Sequence, residues 1–293
     1  MERLFDSFSF WTLWTPEIIV VLLGIAFFFY WITVKWRHKF IGAEDVPLHQ
    51  KIYFGLALIS LYLGLGSPLY TAGHSIFTLH MTQMVLVYYV AIPLLILAIP
   101  KWLLYSVLHK WKRKSLRSYR ILMSPIMGLI GFNTLFSIYH LPLVFDFMMQ
   151  ASVLPNFYQA VLFAGAWLMW WHILDPAPIE DFYLSDLRRI GYIFLNGILI
   201  TPACALMIFA GSPMYETYTN PNMMMHGGDV ALSFLSDYRD QQLAGIVMKI
   251  CQEIIFGFAM GYVFKQWVSK EKQQDGELTI SDIPTKSYEI KPK

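Results

Sequence analysis

Apolar residues in this chain do not alternate with polar ones; they gather in long runs separated by short polar or basic stretches. The runs fall at about 17–36, 52–66, 76–99, 121–140, 156–174, 190–210 and 244–267. A helix needs about 20 apolar residues to cross a bilayer, and lipid offers backbone groups no water to bond, so such runs must satisfy their hydrogen bonds internally. Strands of a membrane barrel would alternate over about ten residues instead. The pattern predicts an all-α, polytopic membrane protein with about seven transmembrane helices in residues 1–268. A polar, charged tail at 269–293 has too few apolar residues to join a core and is expected to be disordered. Trp11, Trp14, Trp31 and Trp36 flank the first run, as interfacial aromatics do, and Pro93 predicts a kink in the third.

The polar connections differ in charge, and that difference predicts orientation. The 35–51 connection carries four basic residues, 101–120 carries seven and no acid, and 175–189 ends in Arg188-Arg189. The stretch 66–75 has no charge, 141–155 has only Asp146, and 211–243 has Arg239 as its single basic residue. Cytoplasmic loops hold the excess of Lys and Arg, so the N-terminus is expected outside and the C-terminus in the cytoplasm, as an odd number of spans requires. Positive charge follows the first run at Lys35, Arg37 and Lys39 rather than preceding it, so that run is expected to be a retained helix and not a cleaved signal.

Composition narrows the function. Hydrophobic residues make up 56% of the 293 and charged residues only 14%, against about 25% in soluble domains. The basic residues sit in loops without a nucleic-acid motif, so no nucleic-acid partner is expected; the lipid bilayer is. Cys204 and Cys251 both lie in apolar runs and make no disulfide framework or C-x-x-C pair. No G-x-S-x-G, phosphate-binding loop or H-E-x-x-H occurs, and a non-enzymatic role is expected.

The chemistry that remains is histidine, methionine and a few polar groups at membrane depth. His38, His49 and His109 lie among basic residues and read as solvated, and His172 reads as interfacial. On the expected outer side, His80, Met81 and Met84 share helical spacing at the start of the third run, with His74 just before it. His140 closes the fourth run, and Met223-Met224-Met225-His226 lies in the long loop. Imidazole and thioether together suit Cu(I), because soft sulfur selects soft ions and neither ligand adds charge near the membrane. The same methionines also suit core packing, and a lone histidine suits a helix-to-helix hydrogen bond. Lys249 and Glu253, four apart in the last run, can pair; intramembrane charge marks either function or a structural bridge. Asn133, Asn196 and Gln252 read as contacts between helices.

Four segments, GSPLYTAGHSIFTLHMTQM, FNTLFSIYHLPLVFDF, GYIFLNGILITPACALMIFA and DQQLAGIVMKICQEI, together resemble the CtaG family, assembly factors of the caa-type cytochrome c oxidase in Bacillus-type bacteria. The resemblance runs over about residues 10–268. It implies a multi-pass plasma-membrane protein that supports formation of active oxidase and contacts oxidase subunits, with a copper-delivery role as the usual proposal. The motif histidines it implies are His74, His80 and His140. The expectation is an assembly factor that holds Cu(I) transiently at the outer membrane face through His74, His80 and His140, with Met81 and Met84 as further candidate ligands. A haem bound between His80 and His140, a cation channel or transporter, and a metal-free scaffold for oxidase subunits remain open on the residues alone.

Overall fold

A computed structural model describes residues 8–40, 42–112, 123–151, 153–176, 183–220 and 235–277. Among these residues every regular element is helical. In chain order the helices are α1 (Phe10–Trp14), α2 (Pro16–Tyr30), α3 (Leu48–Leu65), α4 (Pro68–Gly73), α5 (Phe77–Met84) and α6 (Ile92–Ala98). They continue with α7 (Lys101–Lys112), α8 (Phe132–Tyr139), α9 (Pro142–Gln150), α10 (Leu154–Leu174), α11 (Asp186–Phe209), α12 (Glu216–Thr219) and α13 (Asp237–Glu277). Six helical stretches among the described residues are long and apolar enough to cross a membrane. A seventh span results if the bent pair Met127–Tyr139 and Pro142–Gln150 counts as one.

Local chemistry explains several boundaries. Pro16, Pro68 and Pro142 each stand in the first turn of their helices, where the missing N–H costs nothing. Pro93 does not break the third span. A π-helical stretch, Val85–Ala91, precedes it, and the wider turns absorb the lost hydrogen bond, so Phe77–Ala98 runs on as one span. The fourth run ends at His140 as its apolar pattern suggests, but the connection beyond it is not a loop: the chain turns by 75° and residues Pro142–Gln150 form a separate helix, α9. The basic 101–112 stretch is itself helical, and the last helix continues past 268 to Glu277; residues 278–293 lie outside the described residues.

The buried core is aromatic and sulfur-rich, with Phe77, Tyr89, Phe132, Phe136, Phe145 and Trp170 almost wholly enclosed. The most extensive helix pairing among the described residues is α11 with α13. Gly245 permits it, since a Cβ there would stand 2.9 Å from the Ile208 side chain and 3.1 Å from the Cys204 carbonyl. Asn133 Nδ2 donates to Asn196 Oδ1 at 2.7 Å, joining α8 to α11 inside the bundle. The first span is the opposite case, with α2 burying no residue at all.

Buried charge ties each end of the bundle. At one end Arg189, 2% exposed, donates to the Ile173 and Leu174 carbonyls at the C-terminus of α10, to Asp186 and to Gln266. A guanidinium there satisfies the helix's last carbonyls and complements its dipole. His172, the residue before Ile173 in the last turn of α10, is buried beside Tyr192. At the other end Asp240 accepts from the Phe77 N–H at 2.6 Å, the Thr78 N–H at 3.2 Å and the Thr78 hydroxyl at 2.6 Å. That carboxylate on the N-terminus of α5 sets the position of the histidine-bearing turn.

Candidate functional site

His80 lies one turn into α5, where the Asp240 bridge holds the helix start against α13. His140 is the residue after α8, at the 75° bend, where Pro142 opens the next helix. The bend turns His140 inward: it is fully buried, and His80 is 4% exposed. Their ring centres stand 6.3 Å apart. Tyr139 stacks on His80 at 6.1 Å, and Phe145 meets it edge-on at 5.3 Å. Phe77 closes a further side at 6.0 Å.

The hydrogen bonds around the pair leave both Nε2 atoms over, together with the hydroxyl of Tyr139, whose ring packs against both histidines. His140 Nδ1 lies 2.8 Å from the Phe136 carbonyl, which can only accept, so Nδ1 carries the proton and Nε2 presents a lone pair. His140 Nε2 and His80 Nε2 are both buried with no hydrogen-bond partner. Buried polar atoms are nearly always paired, so two unpaired imidazole nitrogens in one pocket call for an explanation.

The segment before the described residues break off at 220 closes this pocket. Tyr215 donates to the His140 carbonyl at 2.7 Å, and Tyr218 to the Gly73 carbonyl at 2.9 Å. Asp146 on α9 accepts from the Glu216 and Thr217 N–H groups at 3.1 and 3.0 Å and from the Thr217 hydroxyl at 2.7 Å. Gln241 accepts from the Met214 N–H at 2.8 Å. Burial, reinforced by Asp146 and Cys204 at Tyr215 and by neighbouring phenols and carboxylates at Tyr218, raises both phenols above their ordinary value, which keeps both protonated as donors.

Of the residues singled out in the sequence, the structure brings His80 and His140 together. His74 ends α4 and turns toward Tyr70, with Nδ1 3.0 Å from the Tyr70 carbonyl and the rings 5.0 Å apart. Among the described residues no group of three or more His, Cys, Asp or Glu side chains gathers closely enough to hold an ion. Met81 and Met84 are buried within the main core, as are Met148 and Met149 on α9. Met223 to His226 lie outside the described residues. Sequence reasoning missed Asp240, Gln241, Asp146, Tyr215 and Tyr218, which build the pocket without lining it chemically. An acid, amide or phenol near the end of an apolar run carries no local signal for a bond to a residue 27 to 163 positions away.

A model of the family described as cytochrome c oxidase caa3 assembly factor (Caa3_CtaG) matches residues 27–270. None of the curated proteins and none of the solved structures compared with the chain matches it. The matched region holds every span but most of the first, together with His74, His80, His140 and the residues that close the pocket over them. This multi-pass membrane chain, with its aromatic pocket around two buried histidines, belongs to the family of cytochrome c oxidase caa3 assembly factors.

Proposed function

We propose that the protein supports formation of active cytochrome c oxidase by holding Cu(I) transiently at the outer membrane face, between His80 and His140. The observation that carries this reading is the pair of buried, unpartnered Nε2 atoms within one aromatic pocket. Ring centres 6.3 Å apart suit a single ion reached by both imidazoles through bonds of about 2 Å. Two neutral nitrogens with sulfur near suit a soft monovalent ion better than a hard one. Copper is cargo in this reading, so low coordination is an asset: an ion held by two ligands is easier to pass on than one in a closed cage. His74, Met81 and Met84 are the candidates for a third, exchangeable ligand.

The test is a Cu(I) competition titration against a chromophoric chelator under reducing conditions. Full-length wild type is compared with His80→Ala/His140→Ala, and then with His74→Ala added. Binding that the double variant loses by about a hundredfold or more supports the site. Equal or absent binding in both chains removes copper and leaves a metal-free scaffold for the oxidase. A Soret band in the purified wild type would replace copper by haem.

A further inference from the structure

The two charged residues at the centre of the last apolar run do not belong to the histidine pocket. Lys249 and Glu253 sit on α13 beside a recess of about 210 Å³ between α11 and α13, lined also by Gly197, Thr201, Phe256 and Gly257. The recess opens to the lipid side, where Phe194, Ile250, Ile254 and Phe258 are all more than half exposed.

The cation is satisfied and the anion is not. Lys249 Nζ reaches the Gly197 carbonyl at 2.9 Å, the Thr201 hydroxyl at 3.0 Å, Gln252 Oε1 at 3.2 Å and Glu253 Oε1 at 2.5 Å. Three ammonium hydrogens have no more to give. The Glu253 side chain is 54% exposed, and Lys249 is its one polar partner among the described residues. A carboxylate accepts several hydrogen bonds, and hydrocarbon supplies no donor. Beside it, Gln252 is fully buried, with its Nε2 unpartnered.

One and two turns along the same face stand Gly257 and Gly261, in the pattern Gly-x-x-x-Gly. A Cβ at either would meet nothing within 4 Å, so neither glycine serves packing inside this chain. Small residues on a membrane helix let another helix backbone approach closely. An open acceptor at mid-membrane next to a smooth track for a helix defines the occupant. We infer that the α11/α13 groove docks a transmembrane helix of the oxidase that carries a side-chain hydrogen-bond donor opposite Glu253.

A second copy of this chain fits less well. A two-fold contact presents the same patch from both sides. The donors that reach this face are already used, Lys249 on its four acceptors and the Thr201 hydroxyl on the Gly197 carbonyl at 2.8 Å, and the Nε2 of Gln252 is wholly enclosed within the chain. Two copies would set one unmet carboxylate against another. A lipid headgroup fits poorly too, because Glu253 lies near the middle of the apolar stretch 243–264, far from either interface.

This inference rests on the assembly reading, and the experiment separates the two. A photoreactive phenylalanine analogue replaces Phe258, which is 76% exposed beside the groove, in the full-length chain within membranes that contain the oxidase. Irradiation is expected to join it to an oxidase subunit, identified by mass spectrometry. Gly257→Leu/Gly261→Leu, which fills open space, should reduce that product by about tenfold or more while the melting temperature stays the same. Glu253→Gln, which keeps the shape of the recess, should reduce it as well. A product with a second copy, with lipid alone, or insensitive to both variants overturns the groove. Oxidase activity in cells lacking the protein is measured alongside. If that activity is lost while the cross-link to oxidase is absent, the groove falls and the assembly reading stands. If it is intact, the assembly reading falls and the groove with it.

Discussion

Two polar places among the described residues, the histidine pocket and the Lys249–Glu253 groove, are opposites. The histidine pocket is sealed by aromatic rings, carries no charged ligand and leaves its two Nε2 atoms unpaired. The Lys249–Glu253 groove is open, fully charged, and leaves one carboxylate half exposed. Both hold polar groups that the fold alone does not satisfy, which is where function departs from stability. The difference lies in what can complete each. A sealed pocket admits something small, whereas an open groove between helices admits something as long as a helix.

Changes in the groove should have the largest effect on stability. Lys249→Met strands Glu253 in hydrocarbon and should cost about 3–5 kcal/mol, as for other broken pairs in low dielectric. The double change Lys249→Met/Glu253→Met removes both charges and should recover most of that loss. Thermal unfolding of the three chains in nanodiscs checks this; equal stability of the single and double variants would mean that the pair is not interacting in the membrane.

The histidine pocket should respond in the reverse sense. His80→Phe keeps a ring among Phe77, Tyr139 and Phe145 and deletes a nitrogen without a partner, so stability should change by less than about 1.5 kcal/mol. Oxidase activity in cells should nonetheless fall sharply. Strong destabilisation by His80→Phe would instead assign the imidazole a structural bond.

The smallest effects belong to the closing segment. Tyr215→Phe removes one hydrogen bond to the His140 carbonyl, worth about 1 kcal/mol. Because the folded-state phenols of Tyr215 and Tyr218 are raised, their contribution is complete below the unfolded value of about 10 and is lost as pH rises beyond it. Stability should therefore be level between pH 7 and 9 and fall in more alkaline buffer, with a shallower fall in Tyr215→Phe. An unchanged alkaline slope in that variant would place the titration elsewhere.

Local regularities were legible because a bilayer enforces them. Long apolar runs must be helices, residues four apart must meet, and so the spans and the contact of Lys249 with Glu253 follow from spacing alone. The contact of Asn133 with Asn196 was readable as polar groups that need partners inside an apolar bundle. The same logic could not show that His172 is packed against Tyr192, since a helix end in a sequence does not reveal what packs over it. The end of the fourth run at His140 was legible, but not the helix Pro142–Gln150 that follows it at 75°, because a short apolar stretch after a proline does not reveal whether it will be loop or helix.

What the amino-acid sequence determined by itself was the class of molecule: the helical spans, the intramembrane charges and the short list of histidines and methionines. Which of those histidines meet was decided only by the tertiary structure. His80 faces His140 because Asp240 fixes the start of α5 from 163 residues away and because the chain bends at His140 itself. The pocket is closed by Asp146 and Tyr215 through bonds spanning 71 and 75 residues. Spacing along a chain encodes neighbours on one helix; the neighbours that make a site come from packing helices together, where one carboxylate or one turn moves every residue beyond it.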